Sequence, residues 1–246
     1  MILTPSLLYL GSPPKTATRA TEKALLERWR DSHNSIRTRP SPPEEGHSRL
    51  WAMPRMVRLD WFTFATMAPP LTWYRRVYTH ALLGGGEGLR QSLDFYGEGV
   101  TSWPAVLYGM THPGEIELPN QAGLIFRAPQ EAAEALQRNG EGLWSWAMRY
   151  FCGSRCPTPG DSPPIGVDAL VDCLQLEAGL AEVADVDASM IPRVGATERE
   201  MVEAIRAETT DDMRGWVEEA DEGLATVLGY DVRSEMPRSD GPVWRS

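Results

Sequence analysis

Three cysteines in 246 residues leave this chain without a disulfide framework, and an odd count in so long a chain fits a reducing compartment. Lysine is scarcer still. Of the 24 basic residues only Lys15 and Lys23 are lysines, and all the others are arginine. Histidine occurs at positions 33, 47, 80 and 112 alone, too scattered to complete a metal-ligand set with the cysteines. No apolar run approaches the roughly 18 residues that a membrane span needs. The apolar start, Met1 to Leu10, has no basic leader segment and is broken by Pro5, so neither a signal peptide nor a membrane partner is expected. Together these shortages predict a cytoplasmic protein.

Familiar catalytic patterns are missing too. There is no Gly-x-Ser-x-Gly elbow, no His-Glu-x-x-His pair and no calcium loop, although Asp185 and Asp187 begin one. Cys152-Gly-Ser-Arg-Cys156 has the spacing of a metal or cluster motif, but Pro159 stands where a third thiolate would be needed. Leu83-Gly84-Gly85-Gly86-Glu87-Gly88 has the glycines of a phosphate loop. It ends in Leu89-Arg90 instead of Lys-Ser/Thr, and Glu87 would repel the anion. No cofactor and no metal are therefore expected.

Apolar residues make up 42% of the chain, with nine tryptophans, which is enough for a sizeable core. Charge is unevenly distributed. Residues 1–90 carry 13 basic against 7 acidic side chains, whereas residues 165–246 carry 7 against 19. Such polarity suits an anionic partner at the front, an acidic docking face at the back or two ends that pack on each other, and its plainest reading is two solvated surfaces of opposite bias. Organisation follows composition: a mixed region over 1–164 with a mobile, proline-rich loop near 32–48, an acidic helical region over 165–230, and a loosely held tail over 231–246.

Hydrophobic periodicity predicts helices over 18–31 and 71–83, another at 87–95, two more on either side of the Gly140 stop, and acidic helices beyond 165. Pro129 starts the first of the pair around Gly140, and the second carries Trp144 and Trp146. A continuous helical stripe is read from Val167 to Ala181, and capping boxes at Thr197 with Glu200 and at Thr209 with Asp212. Strands are expected at 7–10, 56–64, 106–108, 115–118 and 122–127, the last three as a meander. The resulting class is α+β, helix-rich, with a small antiparallel sheet of about 3–5 short strands.

Two functional readings come from these residues. The first is an interaction or regulatory protein without catalytic machinery of its own, whose Glu218, Glu219 and Asp221 dock a partner with a basic surface, nucleic acid not being expected as that partner. The alternative is a small hydrolase or transferase acting on an anionic or phosphorylated substrate. Arg75 and Arg76, beside Trp73, would bind that substrate, since guanidinium and aromatic groups together hold phosphates and rings. His80, or His112 with its neighbouring glutamates, would supply acid–base chemistry.

Overall fold

The computed structural model describes residues 2–3, 6–11, 13, 15–30, 36–37, 49–82, 102–115, 128–192, 196–233 and 235–246. In chain order the elements are β1 (Ile2–Leu3), β2 (Leu7–Tyr9), α1 (Thr18–Arg28), β3 (Ile36–Arg37), α2 (Arg55–Asp60), β4 (Phe62–Met67), α3 (Pro70–Leu82) and α4 (Trp103–Thr111). There follow α5 (Gln130–Arg138), α6 (Leu143–Cys152), β5 (Ala169–Asp172), α7 (Leu176–Ala184), α8 (Ala196–Glu208), α9 (Asp211–Val227) and β6 (Val243–Arg245). The helix-rich α+β class is therefore what the chain adopts.

The sheet is mixed, with strand order β3-β1-β2-β4-β5-β6. Its centre is parallel: β2 runs alongside β4 with Tyr9 opposite Phe64, and β4 alongside β5 with Met67 opposite Asp172. Antiparallel strands flank this centre on both sides. Strand alternation sorts the side chains onto two faces. Tyr9, Phe64, Ala169 and Val171 face α1 and α7, packing on Ala24, Leu25, Leu180 and Ala184. Leu8, Leu10, Ala65, Met67 and Leu170 face the larger helical layer, which holds Trp73, Trp103, Trp144 and Trp146. The three layers bury the sheet on both sides, as a parallel centre requires.

Several local expectations are revised. Residues 106–108 are helical, because Ser102 and Pro104 start α4 and the apolar faces of Val106, Leu107 and Met110 pack inward. The stretch from Val167 is not one helix: Ala169–Asp172 forms β5, and the helix begins only at Leu176, which leaves Ala178 and Ala181 exposed. Residues 56–64 divide between α2 and β4. The capping box lies one residue later than read, with Thr210 Oγ1 accepting from the Met213 amide at 3.3 Å. The final residues are not loosely held, since β6 pairs with β5 and the Trp244 indole donates to the Val227 carbonyl at 3.1 Å. The expected strand over 122–127, the glycine run at 83–88, the helix at 87–95 and most of the 32–48 loop lie outside the described residues.

α5 and α6 form as expected, and both tryptophans of α6 are buried with their indoles satisfied. Trp144 donates to the Ala68 carbonyl at 3.0 Å and Trp146 to the Ala132 carbonyl at 2.8 Å. α6 starts at Gly142, which has no side chain to cap it. Its cap comes from across the molecule. Asp221 of α9 accepts from the Ser145 amide at 3.0 Å and from the Tyr74 hydroxyl at 2.7 Å, while that hydroxyl accepts from the Trp144 amide at 3.0 Å. A Cβ on Gly142 would lie 2.7 Å from both Asp221 oxygens and the Tyr74 hydroxyl, so only glycine admits this close approach.

Candidate functional site

In open sheets with parallel strands, ligands bind in the crevice outside the strands' carboxyl ends. Here the segments after three strands lie at that edge: Gly11, Pro13 and Lys15 to Ala17 after β2, Ala68-Pro69 after β4, and Cys173 after β5. The first passes through Lys15-Thr16 to Ala17, the N-cap of α1. Lys15 and Ala17 both have left-handed backbones, with φ of 66° and 65°. In non-glycine residues that conformation stores about 1–3 kcal/mol each, and such strain collects at functional sites. The N-cap, Ala17, offers no side-chain cap, and the first turn of α1 contains no acid but an exposed Arg19. A helix start of this composition leaves its amide dipoles for an anion.

A buried hydroxyl chain fixes the loop. Thr16 Oγ1 donates to the Pro13 carbonyl at 2.7 Å, so it accepts from Thr66 Oγ1, 2.8 Å away. Thr66 has then used its proton, so the Tyr9 hydroxyl, 3.2 Å off, must donate to it. Burial pushes the Tyr9 phenol far up, which keeps it protonated and a donor. The chain from Tyr9 through Thr66 and Thr16 turns the Pro13 carbonyl inward, where its negative end cannot oppose an anion.

α3 supplies the second cation. Arg76 Nη1 donates to the Lys15 carbonyl at 3.3 Å and approaches Cys173 Sγ at 2.9 Å. Among the described residues Arg76 pairs with no carboxylate. Burial raises the Cys173 thiol, and Arg76 partly offsets this. Beside it, Asp172 is fully buried and accepts from the Leu174 and Arg238 amides at 2.9 and 3.0 Å. Burial, reinforced by the Asp172 charge, holds the Tyr230 phenol well above its usual range.

The structure separates the residues that the sequence groups together. Arg75 is only 1% exposed and contacts Glu235, a carboxylate that also takes Arg206 Nε and Arg214 Nη1, each at 3.1 Å. Burial alone would raise Glu235, but the Arg75 and Arg214 bonds outweigh it and hold the carboxylate below its usual range. Arg75 is thus a clamp between α3, α8, α9 and the C-terminal segment, not a substrate ligand. Trp73 is sealed in the core and reaches no substrate either.

His80 lies half-buried near the end of α3. His112 belongs to a different surface: its ring stacks on Tyr108 at 4.2 Å, and its Nε2 lies 4.0 Å from Glu219. Asp221, read as a docking residue, is 1% exposed and caps α6. Helical spacing places it on the Val217–Leu224 stripe, four residues after one and three before the other, which explains the correction. Glu218 ion-pairs with Arg233, whereas Glu219, with a side chain 78% exposed, meets only the edge of His112 among the described residues.

Among the described residues no group of three histidine, cysteine or acidic side chains could hold a metal ion. Cys152 is buried and desolvation pushes its thiol far up, so it is an inert core residue. Among the same residues no helix is long and apolar enough to cross a membrane. Lys15 and Thr16 were not singled out from sequence. The available signal was a strand followed by glycine and, before a helix, one of only two lysines beside a threonine. Comparison with protein-family models, curated proteins and solved structures matched nothing to this chain.

Proposed function

We propose that this chain is a hydrolase or transferase that binds the phosphate-type oxyanion of a small substrate at the carboxyl ends of β2, β4 and β5. One observation carries the reading: the Lys15 loop and Arg76, two cationic elements from separate parts of the chain, are joined by a hydrogen bond at that edge. The start of α1, which its N-cap Ala17 leaves without a side-chain cap, and the inward-turned Pro13 carbonyl suit the same ligand. Three unpaired cysteines accord with the cytoplasm as its location. The test is thermal denaturation with pyrophosphate at constant ionic strength. At a hundredfold excess over Kd, binding adds about 2.7 kcal/mol, and the midpoint rises by several degrees. Lys15→Ala and Arg76→Ala should lose that rise. An equal rise in both variants would refute the site.

A second reading, docking of a protein with a basic surface, is favoured by the acidic side chains left exposed on α9, Glu219 above all. Association with such a partner slows as salt rises, because exposed charges are screened beyond about 8 Å at physiological ionic strength. An association rate indifferent to salt would exclude it.

A further inference from the structure

Where the end of α4 meets α9, side chains of both helices form a patch that the sheet-edge site does not use. Tyr108 and His112, one turn apart on α4 and its C-terminus, stack with their planes 11° apart. Trp216 of α9 stands at 84° to the Tyr108 ring, with centroids 5.2 Å apart. The Tyr108 hydroxyl donates to Glu115 Oε2 at 2.5 Å, which fixes the phenol and raises its pKa. Thr111 Oγ1, 2.9 Å from His112 Nδ1, holds the imidazole in place. Glu219 closes the other side. Three rings and two carboxylates thus share one partly exposed surface. Among the described residues neither Glu115 nor Glu219 pairs with an arginine or lysine.

We infer that this patch receives an arginine side chain of a protein partner, an inference that rests on the docking reading above. Charge complementarity selects a cation, since among the described residues Glu219 faces only the His112 imidazole and Glu115 only the Tyr108 hydroxyl, and neither carboxylate meets a guanidinium or ammonium. The rings refine the choice: a flat guanidinium stacks on an aromatic face while its fork engages a carboxylate, which a compact ammonium does less well. The patch combines both recognition elements within reach of one side chain.

The test uses the whole chain and two synthetic peptides of equal length and charge, one carrying arginines and one lysines. Both are titrated by fluorescence at fixed ionic strength against wild type, Glu219→Gln, Trp216→Leu and Glu177→Gln. Glu177 is an exposed acid on α7 that controls for net charge. The arginine peptide should bind wild type about five- to tenfold more tightly than the lysine peptide. Glu219→Gln should remove most of that preference and Glu177→Gln none. Glu219 is exposed, so its variant folds whatever Trp216→Leu does to stability. Equal affinity for both peptides, or equal effects of Glu219→Gln and Glu177→Gln, overturns the arginine site while leaving general acidic docking intact. No saturable binding of either peptide overturns both.

Discussion

Arg75 and Arg76 are neighbours on one helix and lead opposite lives. A step of 100° turns Arg75 toward the helical layer, where Glu235, Arg206 and Arg214 enclose it. The same step turns Arg76 toward the sheet edge, where a carbonyl and a thiol meet it and no carboxylate does among the described residues. The helical side of α3 is electrostatically closed: each charge there has a partner from another part of the chain. The sheet side keeps a cation that meets no counter-charge among the described residues, beside a loop held in strained backbone. Neutralised charge builds the fold, and the proposed site draws on the charge left over.

The largest effect should come from breaking the closed side. Glu235→Ala leaves a buried guanidinium without its carboxylate, and removing one partner of a buried pair costs about 3–5 kcal/mol. The same substitution removes the ion pairs that tie Glu235 of the C-terminal segment to α3, α8 and α9. Urea denaturation checks this. A loss below about 1 kcal/mol, the scale of a surface pair, would mean that the cluster is not a clamp. Trp144→Ala should fall in a similar range, about 3–5 kcal/mol, since its ring is fully buried and its indole bonded.

Two buried carboxylates sharpen the comparison because they respond to pH in opposite senses. Desolvation raises Asp221 from 3.8 to about 6, although Tyr74 and Ser145 pull it down. The folded state therefore holds this proton more tightly than the unfolded chain. The contribution of Asp221 to stability should decline by about 2–3 kcal/mol between roughly pH 4 and 6 and stay level above that. Glu235 is depressed, so its contribution is present at neutral pH and lost as pH falls through its folded pKa. Subtracting the pH–stability profile of Asp221→Asn from that of wild type isolates the first slope. A difference profile that rises from pH 4 to 6 would contradict the assignment.

Gly142→Ala should cost about 1–3 kcal/mol, because the new methyl collides with the cap of α6 and the packed groups must shift. A neutral outcome in thermal denaturation would show that Asp221 and Tyr74 yield easily. Smallest of all is the predicted effect of Arg76→Ala on stability, under about 1 kcal/mol, since it loses only hydrogen bonds to a carbonyl and a thiol.

Periodicity made the helices around Trp73, Trp144 and Trp216 legible, because each carries enough apolar residues at helical spacing to show its buried face. β5 was hidden. Four residues, Ala169 to Asp172, are too short to show alternation, and both faces are covered, so the strand merges with the helical stripe that follows. The ion cluster was illegible for another reason: Glu235 lies 160 positions from Arg75 in sequence, and only the fold brings them together. The sheet-edge site was partly written in the chain, as Gly11 and Lys15-Thr16 between a strand and a helix. What sequence lacked was the partner, since Arg76 reaches Lys15 only once β2 and β4 lie in parallel register.

The most direct test is a titration of isotopically labelled protein with pyrophosphate, followed by amide and arginine Nε resonances at constant ionic strength. Saturable shifts confined to Gly11, Lys15 to Ala20 and the Arg76 side chain are predicted, with Arg75 unmoved. Shifts spread over all exposed arginines in proportion to added anion, or movement of Arg75 without Arg76, would contradict the account.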